Sequence, residues 1–154
     1  MTFVVDGMLG KLAKWLKILG FDTLFLPEED DRILAAARRE GRTILSRDRE
    51  LIRRAKGHPA LLIESTRWPD QVRQVLARYD LWSEARPFTR CLECNVLLEP
   101  LSREGAAQIV PPHVFDKSAS FLLCAQCGRF YWAGTHHEAM EATIRELLKD
   151  RCDS

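Results

Sequence analysis

Short apolar runs alternate with longer stretches of helical period through the first half of the chain. Thr2-Phe3-Val4-Val5 reads as a buried strand that ends at Asp6-Gly7. From there Leu9, Leu12, Ala13, Leu16 and Leu19 recur at helical spacing, and Gly20 supplies the stop. Lys11, Lys14 and Lys17 form a second, charged stripe on that helix. Residues 23–26 read as a second strand. Asp31 then stands as a helix N-cap before Ile33, Leu34 and Ala37, with Gly41 closing the helix. Thr43-Ile44-Leu45 is a third strand, followed by Ser46-Arg47-Asp48 and a brief helix with Leu51 and Ile52. A fourth strand covers 60–63, and Pro69 opens a helix carrying Val72, Val75, Leu76 and Tyr79. The order βαβαβαβα predicts an α/β fold, a parallel sheet covered by helices on both faces.

Around Arg86-Pro87-Phe88 the pattern changes, and no helical period is expected until after His136. Pro100, Pro111-Pro112 and the strand-like pieces Phe121-Leu122-Leu123 and 129–132 suit a small β-rich unit. Met140, Thr143, Ile144, Leu147 and Leu148 predict a closing amphipathic helix. Two domains follow from this break, 1–85 and 86–154.

The second domain contains the strongest chemical signal in the chain. Cys91-Leu-Glu-Cys94 and Cys124-Ala-Gln-Cys127 are two Cys-x-x-Cys knuckles with 29 residues between them. Two residues between cysteines let both thiolates of a knuckle reach one ion, and two knuckles close a tetrahedral four-cysteine site. A structural zinc ribbon is expected, the ion supplying folding energy that so short a segment lacks in its own core. Disulfides or a redox pair are the alternative, but no thioredoxin-type strand–helix unit surrounds either pair. Cys152, in a polar tail, is read as incidental.

Composition is ordinary for a globular protein, with 46% hydrophobic and 29% charged residues among 154. The opening residues carry no basic n-region or apolar h-region, so no signal peptide, no membrane partner and a cytoplasmic location are expected. Net charge is +1, yet between Arg32 and Lys56 nine Lys/Arg stand against Glu40, Asp48 and Glu50. Such a basic stretch is either a solvated helix face or a surface for a polyanion.

Asp6 follows the first strand, Asp31 starts the helix after the second, and Asp48 follows the third. In an open parallel sheet these places share the carboxyl edge, where ligands bind. Close carboxylates repel, and Mg2+ or Mn2+ removes that penalty while making water a better nucleophile toward a phosphate. A turn at Asp6 and simple N-caps at Asp31 and Asp48 are the plainer alternative.

The segment Phe3-Val4-Val5-Asp6-Gly7-Met8-Leu9-Gly10-Lys11-Leu12-Ala13-Lys14-Trp15-Leu16 resembles the opening of a PIN-like ribonuclease. So do Asp31-Arg32-Ile33-Leu34 and Ile44-Leu45-Ser46-Arg47-Asp48-Arg49-Glu50-Leu51. With the knuckles and Tyr131-Trp132-Ala133-Gly134-Thr135-His136, the chain to about residue 148 is similar to the Mut-seven C-terminal RNase domain family. The resemblance implies a PIN-like domain followed by a zinc ribbon, and metal-dependent cleavage of RNA. It carries the acidic positions onto Asp6, Asp31 and Asp48, with Asp30 competing for the second. Glu50 stands where many relatives have a further Asp, and Glu64 or Asp70 are the candidates for a mid-chain acid. Arg47 can hold a substrate phosphate, Lys11 and Lys14 can track the RNA backbone, and His136 can contact RNA or tie the closing helix to the ribbon. Phe130, Tyr131 and Trp132 can stack bases or divide between core and interface. A non-catalytic RNA-binding module, or an adaptor that docks partners through its ribbon, is the rival function. A toxin role, common among small PIN proteins, is a further possibility.

Overall fold

Four strands, β1 (Thr2–Asp6), β2 (Asp22–Leu26), β3 (Thr43–Ser46) and β4 (Ala60–Leu62), pair in parallel in the order β2-β1-β3-β4. The computed structural model describes residues 1–116, 120–132 and 135–149, without the side chains of 135 and 136. Register keeps the C-terminal ends of the strands level: Asp6 pairs with Leu26, Val5 with Leu45, and Ser46 with Leu62.

Strand alternation decides what each face receives. Val4 and Ile44 point to one side, into a core with Ile33, Leu34 and Ala37 of α2 (Asp30–Glu40) and with Leu51 of α3 (Arg49–Arg54). Phe3 points to the other side, with ring contacts to Phe21 at 6.4 Å and to Tyr79 at 6.1 Å. That side carries α1 (Gly10–Ile18) and α4 (Trp68–Tyr79), which pack on one another and bury Leu12, Leu16, Val72 and Leu76. Each such aliphatic side chain contributes roughly 1.5–3 kcal/mol on burial. After α4 the chain returns to α1, where the Arg86 and Phe88 N–H groups donate to Leu19 O and Ile18 O at 2.7 and 2.9 Å.

Backbone contacts divide the chain into two compact units, Met1–Phe88 and Thr89–Ser154. In the second, β5 (Glu99–Leu101), β6 (Phe121–Leu123) and β7 (Phe130–Trp132) form an antiparallel sheet in that order. Pro100 lies in the edge strand β5, where a missing N–H is tolerated. The periodicity expected no helix here, yet α5 (Arg103–Ile109) and α6 (Pro112–Phe115) stand between β5 and β6. At seven and four residues they are too short to display a 3.6-residue period. Ser102 Oγ caps α5 by accepting the Gly105 N–H at 3.0 Å. Ala106 and Val110 close on Phe121, against which Phe115 stacks at 6.0 Å. Helix α7 (Thr135–Lys149) ends the described chain. The parallel sheet with flanking helices, the small β unit and the closing helix are the architecture expected from the sequence. Among the described residues no helix is long and apolar enough to cross a membrane.

Candidate active site and metal centre

Asp6 stands two residues beyond Val4 in β1, and Ser46 two beyond Ile44 in β3, so both face the α2–α3 side at the C-terminal edge. Asp6 is only 6% exposed. A carboxyl group so buried needs hydrogen-bond partners, and the described residues supply two donors. The Met8 N–H donates to Oδ1 at 3.0 Å, and the Ser46 hydroxyl donates to Oδ2. Ser46 Oγ in turn accepts the Asp48 N–H at 2.9 Å, which joins the ends of β1 and β3 through one hydroxyl. Sequence reasoning gave Ser46 no role. Asp48 caps α3: its Oδ1 accepts the N–H groups of Glu50 at 2.9 Å and Leu51 at 3.3 Å. Its Oδ2 has no hydrogen-bond partner among the described residues. A Cβ on Gly7 would lie 3.1 Å from Pro27 Cα, so the missing side chain lets the turns after β1 and β2 close together.

Asp30 and Asp31 have different surroundings. Asp31 opens onto solvent with a side chain 78% exposed, and it pairs with Arg54. Asp30 is 34% exposed and lies 3.6 Å from Arg54 through Oδ2. Its carboxyl is pushed above the ordinary range, first by partial burial and then by the negative charge of Asp48, with Arg54 opposing and Asp6 and Asp31 adding to the rise. Asp30 therefore lies within electrostatic reach of both strand-end acids. A hard divalent cation would relieve such mutual repulsion. Among the described residues only the cysteines converge as a set of three or more metal ligands; the three carboxylates do not.

In the second unit all four sulfurs of Cys91, Cys94, Cys124 and Cys127 lie within 4.8 Å of one another. Cys91 Sγ and Cys127 Sγ are 3.7 Å apart, while sulfurs in a tetrahedral zinc site stand about 3.8 Å apart. The described cysteines are free thiols. The knuckles repeat one turn: Asn95 N–H returns to Cys91 O and Gly128 N–H to Cys124 O, each at 2.9 Å. Both residues have positive φ, 66° at Asn95 and 80° at Gly128, which suits these two residue types. The Cys94 and Cys127 N–H groups donate to the first sulfur of their own knuckle at 3.4 Å. Tyr131 Oη donates to Cys91 Sγ at 3.2 Å. Burial opposes ionisation of Cys91, but the Tyr131 hydroxyl and the Cys94 and Glu93 amides overcome it and lower the thiol to about 6. Cys94 is pushed up to about 12 by burial and then by its neighbours Cys127 and Cys124. Four thiols this close cannot all ionise unless a cation is present, and the cluster can hold a metal ion such as zinc.

The family model of the Mut7-C RNAse domain matches residues 1–144. The chain belongs to the Mut7-C RNAse domain family. No curated protein and no solved structure matches it. Membership in the Mut7-C family points to nuclease-type chemistry, with RNA as the implied substrate class.

The remaining candidates take distinct places in this Mut7-C chain. Arg47, half-buried between Ser46 and Asp48, has a buried Nε with no hydrogen-bond partner among the described residues. Lys11 and Lys14 are exposed on α1. Glu50 points outward and pairs with Arg53, which lowers its carboxyl below the usual range. Glu64 is exposed, and Asp70 lies 3.5 Å from Arg73 within α4. The His136 side chain, Ala133, Gly134 and Cys152 lie outside the described residues. Trp15 stacks on Trp68 at 4.7 Å.

Proposed function

We propose that this protein is a metal-dependent ribonuclease whose acid site is formed by Asp6, Asp30 and Asp48 with Arg47 beside them. The observation that carries this reading is the Ser46 hydroxyl, which joins the Asp6 carboxylate and the Asp48 N–H at one sheet edge. The second position is assigned to Asp30 because Asp31 is directed to solvent and to Arg54. Asp6, Asp30 and Asp48 would hold one or two Mg2+ or Mn2+ ions, which when bound supply a better water nucleophile and charge neutralisation at the phosphate. The chain's own residues do the rest. Ser46 fixes the Asp6 carboxylate and the Asp48 backbone together, so two acids keep one spacing. The α3 cap leaves Asp48 Oδ2 available. Arg47, half-buried between Ser46 and Asp48, would offer its guanidinium to a phosphate oxygen. In the second unit the four cysteines hold zinc, which shapes the ribbon and takes no part in bond cleavage.

Asp6→Asn and Asp48→Asn proteins, incubated with a fluorescent single-stranded RNA and Mn2+, test this. Each is expected to cut about a hundredfold more slowly than the wild type. Equal cutting by wild type and variants would remove the acid site from the chemistry. Binding without cutting by all three would leave an RNA-binding module in its place.

A further inference from the structure

A cavity of about 560 Å³ opens on the α1–α4 side of the first unit, lined by Met8, Lys11, Thr66, Arg67, Trp68 and Gln71 among others. It begins two residues past Asp6. The Met8 N–H is the group that donates to Asp6 Oδ1, while its side chain is 70% exposed. One residue thus belongs both to the carboxylate's support and to the cavity wall. The walls are fixed in advance. Trp68 at the start of α4 stacks on Trp15 of α1, with rings 4.7 Å apart and 7° from parallel, so the two helices that bound the space are clamped together.

The lining is chemically mixed. Met8 and Trp68 provide soft apolar and aromatic surface, Lys11 and Arg67 are exposed cations, and Thr66 brings a hydroxyl. Gln71 is 5% exposed and commits its Nε2 to Ser65 O at 2.9 Å; its Oε1 has no hydrogen-bond partner among the described residues. An aromatic and thioether surface, an amide acceptor and two cations together match a base joined to a phosphate. The volume suits one small-molecule-sized group. Stacking on such side chains needs a base whose face is free of its duplex neighbours.

We infer that this cavity holds one unpaired ribonucleotide of the substrate, adjacent to the bond that is cut. This rests on the ribonuclease reading and adds to it a preference for single strands and a second set of residues. The base lies against Met8 and Trp68, Gln71 Oε1 meets its edge, and Lys11 and Arg67 take the flanking phosphates.

Two surface variants test it without touching the acids. Arg67→Glu reverses one cation whose side chain is 78% exposed, and Thr66→Trp fills the mouth of the cavity from an exposed position. Binding is read by fluorescence anisotropy of a labelled single-stranded oligoribonucleotide on full-length Asp6→Asn protein. Cleavage is read separately in the otherwise wild-type chain. Both variants are expected to weaken binding about tenfold or more, as for loss of one stacked base, and to raise KM far more than they lower kcat. An RNA duplex is expected not to compete. Unchanged Kd and KM in both variants, or equal competition by the duplex, overturns the subsite. If the wild type binds but never cuts and the variants bind less, the subsite stands while the nuclease reading falls. If nothing binds RNA, both fall.

Discussion

Two adjacent aspartates, Asp30 and Asp31, share one arginine yet differ in what they do for the chain. Asp31 holds Arg54 in solvent, whereas Asp30 sits among like charges. Its raised carboxyl carries a definite sign. Folding favours the neutral acid, so Asp30 supports the fold below the unfolded pKa of about 3.9, and that support is lost as pH climbs through the folded value. At neutral pH its charge is repelled by Asp48, Asp6 and Asp31, and Arg54 offsets only part of that. Asp30→Asn is therefore expected to raise the melting temperature of the metal-free protein at pH 7 by roughly a degree or two, and to lose that advantage near pH 3. Mn2+ is expected to stabilise the wild type and the Asp31→Asn protein, but Asp30→Asn much less. Scanning calorimetry with and without Mn2+ reads both effects. An equal Mn2+ response in Asp30→Asn and wild type would take Asp30 out of the site.

At the level of elements, the site depends on how closely the turns after β1 and β2 approach. Any Cβ on Gly7 meets Pro27 Cα at 3.1 Å, so Gly7→Ala must displace the segment that leads into Asp30. The sheet register is untouched, and a folded protein with about tenfold slower RNA cleavage is expected from circular dichroism and turnover. Full activity would mean that the acids tolerate a looser edge. These elements also mark what the sequence could and could not disclose. The strand–helix alternation was legible because Val4, Ile44, Ile33 and Ala37 keep strict periods. Asp30 was legible too, in principle: it is three and four residues before Ile33 and Leu34 and seven before Ala37, on the buried stripe of α2, while Asp31 is in step with exposed Ala35 and Arg38. Only the N-cap expectation at Asp31 fails: the cap position is Glu29, which makes no side-chain cap bond. Ser46 had no local signal, since its role depends on Asp6, which is 40 residues away. Helices α5 and α6 were hidden by their shortness.

Across the whole molecule, the two units draw stability from different sources. Met1–Phe88 has aliphatic cores on both faces of its sheet, whereas Thr89–Ser154 has the small cluster around Ala106, Val110 and Phe121 and the four-cysteine site. An ion bound by four thiolates competes with protons for them, and Cys94, pushed up to about 12, is the hardest to deprotonate without it. Chelation or acid therefore acts on one unit first. With a strong chelator at pH 7, amide exchange is expected to rise through β5, β6, β7 and the knuckles while β1, β3 and α1 stay protected. Cys127→Ser, which removes the exposed ligand, is expected to reproduce that pattern and to lower zinc content below one ion per chain by elemental analysis. If exchange rose equally in β1 and β6, the parallel sheet would itself depend on the ion, and the zinc would be holding the entire chain instead of one ribbon. Protection of β6 unchanged by chelation would mean that the hydrophobic cluster alone suffices there.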